Sequence, residues 1–345
     1  MASDRPVWAS LIALFKQRAP ADVSVVETLV RRHRLRAVEL LPWILTVVAY
    51  YLFSDYLALG SQILIMILFA LSLDLVLGYA GIVTLGHSAF FGVGAYAAGI
   101  YAARICGEPL SGLMVGATAA ALVGWTSGLV ILRTQGFTLL MLTLAVTALL
   151  AEAANKASFI TGGADGLQGV DIAPIFGWFR FDMFGRVGYL YCLAVLFLCW
   201  LFARRLVHSP FGRSLIGIRE NTARMHAIGS PVRRRLLTVY TISAALAGVA
   251  GALLAQTTQF VGLTVLGFQR SGEIVIMLVF GGVGRLYGAF VGASLYMIAQ
   301  DQIAKLEPEF WNFWIGLLLV VLVMFARGGV LGLVDRVLSL ARRKP

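Results

Sequence analysis

The stretch RRLVHSPFGRSLIGIRENTARMHAIGSPVRRR, residues 204–235, carries eight arginines and one acid and stands between long segments that are almost uncharged. Lys and Arg are retained on the cytoplasmic side of short loops between membrane spans, so this pattern predicts a multi-spanning membrane protein with the arginine loop in the cytoplasm. Composition points the same way. The chain is 59% hydrophobic and 13% charged, with a mean hydropathy of +0.86, which leaves too little polar surface to cover a soluble globule of 345 residues. The net charge of +11 does not indicate nucleic acid, because the basic residues sit between apolar spans and not on one folded face interleaved with aromatic readers. Cys106, Cys192 and Cys199 lie in or beside apolar segments without metal-ligand spacing and read as free thiols.

A helical span needs about 20 mainly apolar residues. The sequence offers them at 38–57, 61–78, 85–105, 112–132, 136–154, 187–203 and 236–260, with a last span at 313–326. Residues 273–300 are long enough to cross but are cut by GGVGRLYG at Gly281–Gly288, and read as two short helical arms with Arg285 at their turn. The expected fold is an all-α polytopic membrane protein with glycine-rich broken or re-entrant segments. Ten crossings put both termini and 22 of the 28 basic residues on the cytoplasmic side. Eight or nine crossings result if the glycine-rich segments re-enter. The domain plan is a basic cytoplasmic arm (1–36), a transmembrane domain (37–326) containing the loop 204–235, and a basic cytoplasmic tail (327–345). The arm is too long and too charged before its first apolar run to be a cleaved signal peptide. Its Trp8, Leu11, Ile12, Leu14 and Phe15 fall mostly on one helical side, which suits contact with membrane lipid.

Two segments are broken in a way that suggests use. LGYAGIVTLGHSAFFGVGAYAAG, residues 77–99, has six glycines in 23 residues. In a membrane, glycine lets helices approach closely, and unwound backbone is tolerated only where it is buried in protein or lines a cavity. The candidate substrate path therefore follows Asp74, Gly78, Gly81, His87, Gly92, Gly94 and Tyr96. Gly284, Gly288 and Gly292 repeat the pattern as GxxxGxxxG, for which helix packing is an equally good reading. Acids are costly at the centre of a span, about 2.5–3.5 kcal/mol each on insertion scales. Glu152, Asp301 and Glu273 have helix-neighbour bases in Lys156, Lys305 and Arg270. Asp74 has no basic residue within ten positions and must find a partner on another helix, face water, or be protonated. The four lysines follow Phe, Asn, Ala and Arg, so the Gly-Lys-Ser/Thr signature of a phosphate loop is absent, as are HExxH and a credible catalytic triad. The chain reads as a non-enzyme that uses no cofactor.

SLDLVLGYAGIVTLGHSAFFGVGAY (Ser72–Tyr96), TGGADGLQGV (161–170), SPFGRSLIGIRENTARMHAIG (209–229), ISAALAGVAGALLA (242–255) and VFGGVGRLYGAFVGA (279–293) resemble the permeases of branched-chain amino-acid ABC importers, in consistent order over residues 57–332. Within that family the chain is similar to the M-type subunit. The resemblance implies a machine of two homologous permeases, two cytoplasmic ATPase subunits and a periplasmic solute-binding protein, working in the bacterial inner membrane. It implies that the helix around Arg219–Gly229 is the ATPase-coupling helix, with Arg219, Glu220, Asn221 and Arg224 as a charged docking face and Gly229 and Pro231 ending the helix. It adds Gly162, Gly163 and Asp165 to the substrate path. The family commonly has Asn where this chain has Asp74 and Asp165, and relatives carry branched-chain amino acids, urea or short amides, or aromatic carboxylates. A proton-coupled secondary transporter using Asp74 and His87 is the rival from another class. A channel is a further one, though no ring of repeated carbonyl or charged groups is present. The external segment 161–186 carries Phe176, Trp178 and Phe179 at the interface, suited to cap the outer mouth.

Overall fold

The computed structural model describes residues 41–53, 56–174, 185–325 and 328–333. The arm 1–36, the aromatics Phe176, Trp178 and Phe179, and nearly all of the tail lie outside them. Val48–Pro345 forms the body of the protein, and the preceding unit, Met1–Val47, contributes only the first turns of one helix to the described residues.

Among the described residues the regular elements are all helices, joined by irregular stretches, with one isolated antiparallel bridge between Leu167 and Val261. In chain order the helices of six or more residues are α1 (Leu41–Leu52), α2 (Leu57–Asp74, continued as a π-helical turn, Leu75–Tyr79), α3 (His87–Arg104), α4 (Pro109–Ile131), α5 (Phe137–Lys156), α6 (Arg186–His208), α7 (Pro210–Glu220), α8 (Thr222–Ala227), α9 (Val232–Thr258), α10 (Phe268–Gly281), α11 (Leu286–Leu306) and α12 (Trp311–Phe325). Five of them are long and apolar enough to cross a membrane alone: α2 with its π-turn, α4, α5, α6 and α9. The pair α10 and α11 makes a sixth if counted as one span, but it is bent by 114° at its break, which agrees with two arms meeting at a turn. The other crossings of a ten-crossing plan fall on α1, α3 and α12, of 12, 18 and 15 residues.

Burial orders these helices. The apolar stretch of α2 is 78% buried and that of α9 61%, against 17% for α5. A helix apolar on every side is either core or lipid-facing. Here α2, α3 and α9 are core, α4, α6 and α11 pack around them, and α5 stands at the edge.

Glycine sets the tightest of these contacts. Gly94 of α3, Gly116 of α4 and Gly248 of α9 meet backbone to backbone: a Cβ on Gly94 would collide with Gly248, and a Cβ on Gly248 would lie 2.6 Å from the Gly116 carbonyl oxygen. Gly281, Gly288 and Gly292 do the same between α10 and α11. So the packing reading holds for Gly288 and Gly292, and Gly284 belongs elsewhere, as described below.

The unwound stretch is shorter than the sequence suggests. Only Ala80–Gly86 is irregular, and Gly92, Gly94, Tyr96 and Gly99 sit inside the regular helix α3. Glycine weakens a helix in water, but buried between α4 and α9 it is what permits the contact, so packing overrides propensity here.

Candidate functional site

α2 ends in a widened turn, Leu75–Tyr79, and π-turns of this kind often mark functional positions. The last carbonyls of a helix have no partner within it, and the end carries partial negative charge. The guanidinium of Arg219 meets both conditions, since its Nη1 donates a hydrogen bond to the Gly78 carbonyl. Arg219 is the penultimate residue of α7, so the arginine-rich segment caps the broken end of the most buried helix.

Asp74, one turn earlier, is fully buried. A carboxylate near a helix C-terminus is disfavoured by the same partial charge, and it needs donors from outside. Its Oδ1 accepts from the Gly284 N–H at 2.7 Å, and Gly284 stands in the turn between α10 and α11. Its Oδ2 is buried with no hydrogen-bond partner. The Arg219 guanidinium acts on Asp74 through space without bonding to it. Room for this assembly depends on glycine. A Cβ on Gly78 would lie 2.6 Å from the Gly284 nitrogen, one on Gly284 3.1 Å from Arg219 Nη1, and one on Gly81 2.9 Å from Arg219 Cγ. Gly284 also has φ +79, a conformation side chains resist. Two glycine breaks distant in sequence thus meet around one arginine and one aspartate.

His87 forms a separate cluster. It opens α3, is buried, stacks on Phe69 with centroids 5.7 Å apart and meets Phe90 edge-on at 5.6 Å. Both neighbouring hydroxyl protons are committed: Ser243 Oγ donates to the Ser72 carbonyl at 2.5 Å, and Ser72 Oγ to the Phe69 carbonyl at 2.6 Å. Nε2 therefore carries the ring proton and donates to Ser72 Oγ at 3.0 Å, while Nδ1 is buried without a partner. Asp74 and His87 share no hydrogen bond, so the geometry joins them in no relay.

The other anticipated path residues are scattered. Gly92 and Gly94 are buried at helix contacts, Gly92 against the Leu266 side chain, and Tyr96 is buried with its hydroxyl unpartnered. Gly162 and Gly163 form a left-handed turn (φ +77 and +57) closed by Thr161, whose Oγ1 donates to the carbonyls of Ala154 at 2.5 Å and Ala157 at 2.9 Å. Asp165 is exposed on that turn. Asp74, Gly78 and Gly81 are brought together; His87, Gly92, Gly94, Tyr96, Gly162, Gly163 and Asp165 are not in that group.

The anticipated coupling helix over Arg219–Gly229 is two helices. Asn221 breaks it, because its Oδ1 accepts from the Arg224 N–H at 2.8 Å and N-caps α8. Arg219 sends its guanidinium to the Gly78 carbonyl and Asn221 caps α8, while both residues stay exposed. Glu220 and Arg224 remain exposed, together with Ile228, whose 70% exposure the charge pattern concealed. Gly229, at φ +78, ends the segment as expected. The three expected helix-neighbour pairs form: Arg270–Glu273 at 2.9 Å, Lys305–Asp301 at 2.6 Å and Lys156–Glu152 at 3.6 Å.

A bundle of buried, glycine-packed apolar helices, broken at two points that meet a basic extramembrane segment, defines a multi-pass membrane permease. Residues 55–326 match the family described as "Branched-chain amino acid transport system / permease component", and the chain belongs to it. It is 28% identical over 300 residues to the high-affinity branched-chain amino acid transport system permease protein LivM of Escherichia coli K12, covering 79% of this chain and 69% of that protein. It is 33% identical over 144 residues to the autoinducer 2 import system permease protein LsrC of Enterobacter sp. 638 (39% of this chain, 42% of that one). It is 29% identical over 128 residues to the E. coli K12 permease protein LivH of the same branched-chain amino acid system (36% and 41%). No solved structure matches the chain.

Proposed function

We propose that the chain is the permease subunit of an ATP-driven importer of branched-chain amino acids in the bacterial inner membrane, with both termini cytoplasmic. It works beside a second, homologous permease, above two ATPase subunits that hydrolyse the ATP, and beneath a periplasmic binding protein that delivers the solute. The observation that carries this reading is the arginine-rich segment itself. Its helix α8 has no buried residue, while the adjoining α7 reaches the broken end of α2 through Arg219. Such an element presents one face to an external partner and holds an internal break with the other. Likeness to both LivM and LivH supports the paired permease. The domain plan, 1–36, 37–326 with its loop, and 327–345, belongs to the same proposal.

The chain's likeness to LsrC, an autoinducer 2 import permease, supports a second reading, the same machine with a different solute; urea, short amides and aromatic carboxylates are the candidates that the family resemblance adds. One experiment separates them. The assembled complex is placed in proteoliposomes with its binding protein, and ATP hydrolysis is measured with leucine, isoleucine, valine, urea, acetamide or benzoate. Stimulation by the three branched-chain amino acids alone is the expected result. Stimulation by another solute replaces the substrate, and solute uptake driven by a proton gradient without ATP replaces the class.

A further inference from the structure

The arginine-rich segment presents Arg219 to two acceptors and leaves one of them unused. Its Nη1 bonds the Gly78 carbonyl at the end of α2. Within the same cluster, Asp74 has spent only Oδ1, on the Gly284 N–H, and Oδ2 has no partner though the residue is fully buried. A buried carboxylate oxygen without a donor is costly, and a charged donor close by is the group able to satisfy it. Leaving it unsatisfied while a guanidinium with five N–H donors in the same cluster is directed at a neutral carbonyl is not the arrangement of lowest energy for a static cap. It fits one state of a pair that exchanges partners.

We propose that Arg219 and Asp74 are positioning residues of the transport cycle: as the arginine-rich segment moves, Arg219 exchanges the Gly78 carbonyl for the free oxygen of Asp74. In the present state the guanidinium clamps the end of α2 beside the α10–α11 turn, with Gly81 and Gly284 giving it room. In the other state the ion pair forms, the Gly78 carbonyl is released, and the irregular stretch Ala80–Gly86 is free to move. The guanidinium keeps an acceptor in both states. Two discrete arrangements separated by a small shift are what a coupling element requires. This rests on the permease reading above.

The test is a double-mutant cycle in the assembled complex, in membrane vesicles, with D74N, R219Q, R219K and D74N/R219Q. Val83, 52% exposed on the irregular stretch, is replaced by cysteine in a Cys106→Ser background, because Cys106 is exposed and would react. The first readout is the maleimide labelling rate of that cysteine with and without ATP, which needs no solute. The second is leucine uptake. ATP is expected to change the labelling rate in the otherwise unaltered protein, and D74N and R219Q each to cut uptake roughly tenfold and suppress that change, with the double variant no worse than either, the non-additivity of residues acting as one unit. R219K, which keeps the cation, is expected to recover part of the response. A static cap would leave D74N at the unaltered level, or give the double variant the product of the two losses; either result overturns the proposal, as does R219K performing no better than R219Q. If R219Q does not accumulate as full-length protein, R219K, D74N and D74N/R219K complete the cycle. No ATP response in the unaltered protein also overturns it. A labelling response with no leucine uptake instead overturns the assigned solute and leaves the pair standing.

Discussion

Replacing Gly248 with alanine tests whether the centre of the bundle is as close-packed as α3, α4 and α9 imply. The added Cβ would lie 2.6 Å from the Gly116 carbonyl oxygen and collide with the Ala120 Cβ. Ordinary contact starts near 3.4 Å, so the shortfall to Gly116 is 3.4 − 2.6 = 0.8 Å, and it falls on backbone that cannot rotate away. α4 and α9 must separate as bodies, and a gap of about 0.5–1 Å forfeits a quarter to a half of each dispersion contact along the seam. Overpacking of this kind costs about 1–3 kcal/mol.

Gly272→Ala supplies the reference, because Gly272 also lies within a helix but has nothing within 4 Å of an added Cβ. In that site alanine gains up to about 1 kcal/mol of helix propensity, in common with Gly248, so the propensity cancels in the comparison. The two variants should differ by about 1–3 kcal/mol, all of it packing. Purified full-length protein is unfolded in mixed micelles at rising SDS fraction and followed by tryptophan fluorescence, with thermal half-lives as a check on reversibility. G248A should unfold first and G272A no earlier than the unaltered chain. Equal midpoints would mean the three glycines do not bring the helices into contact, and the junction would no longer explain why they occur there.

Three further outcomes follow from the site. Replacing Glu220 and Arg224 together by alanine should leave the chain inserted and paired while ATP hydrolysis loses its stimulation by solute; transport at the unaltered rate would remove α8 from the coupling role. Cysteine at Gly92 or Tyr96, both buried, should react with aqueous maleimide at least tenfold more slowly than cysteine at Val83, and equal rates would show that α3 lines water. Reporter fusions after Gly166 should behave as external and those after Arg213 as cytoplasmic, since reversal would carry the eight-arginine loop outward; the opposite pattern at either position would overturn the assigned orientation.

The helices were legible because their signal is local. An apolar run of about 20 residues is recognisable without knowing its neighbours, so the segments near 112–132, 136–154 and 187–203 anticipate α4, α5 and α6 closely. Glycine was read less well, because one residue type serves opposite purposes. At Gly94 it lets a regular helix touch another, at Gly162 it permits a left-handed turn, and at Gly284 it permits a turn that passes close against Arg219 and Gly78. No local pattern distinguishes these uses; only the partner across the contact does. The same reason hid Ser72, Ser243 and Thr143, whose hydroxyls matter through a histidine or a loop far away in sequence.

Asp74 shows where a local reading stops and what would have carried it further. Its isolation from any base within ten positions required a distant donor, and the sequence held eight arginines in one loop with nothing in their charge to separate them. The one donor it found lies 210 residues away at Gly284, and the Arg219 guanidinium stands in the same cluster without bonding to it. Helical spacing contains the distinction. Gly212, Leu215 and Ile218 are buried on α7, and Arg219 follows Leu215 by four positions and Gly212 by seven, which puts it on the edge of the apolar stripe. Arg213 and Glu220 fall off that stripe; Arg219 is exposed as they are, but its guanidinium reaches the Gly78 carbonyl. An arginine aligned with the buried face of a short amphipathic helix is costly unless an acceptor waits inside the bundle, and α2 offers two, the terminal carbonyl of Gly78 and the carboxylate of Asp74. A buried acid lacking a base and a helix with an arginine on the edge of its apolar face are complementary defects, and pairing such defects selects, of the eight arginines, the one whose guanidinium bonds the broken end of α2.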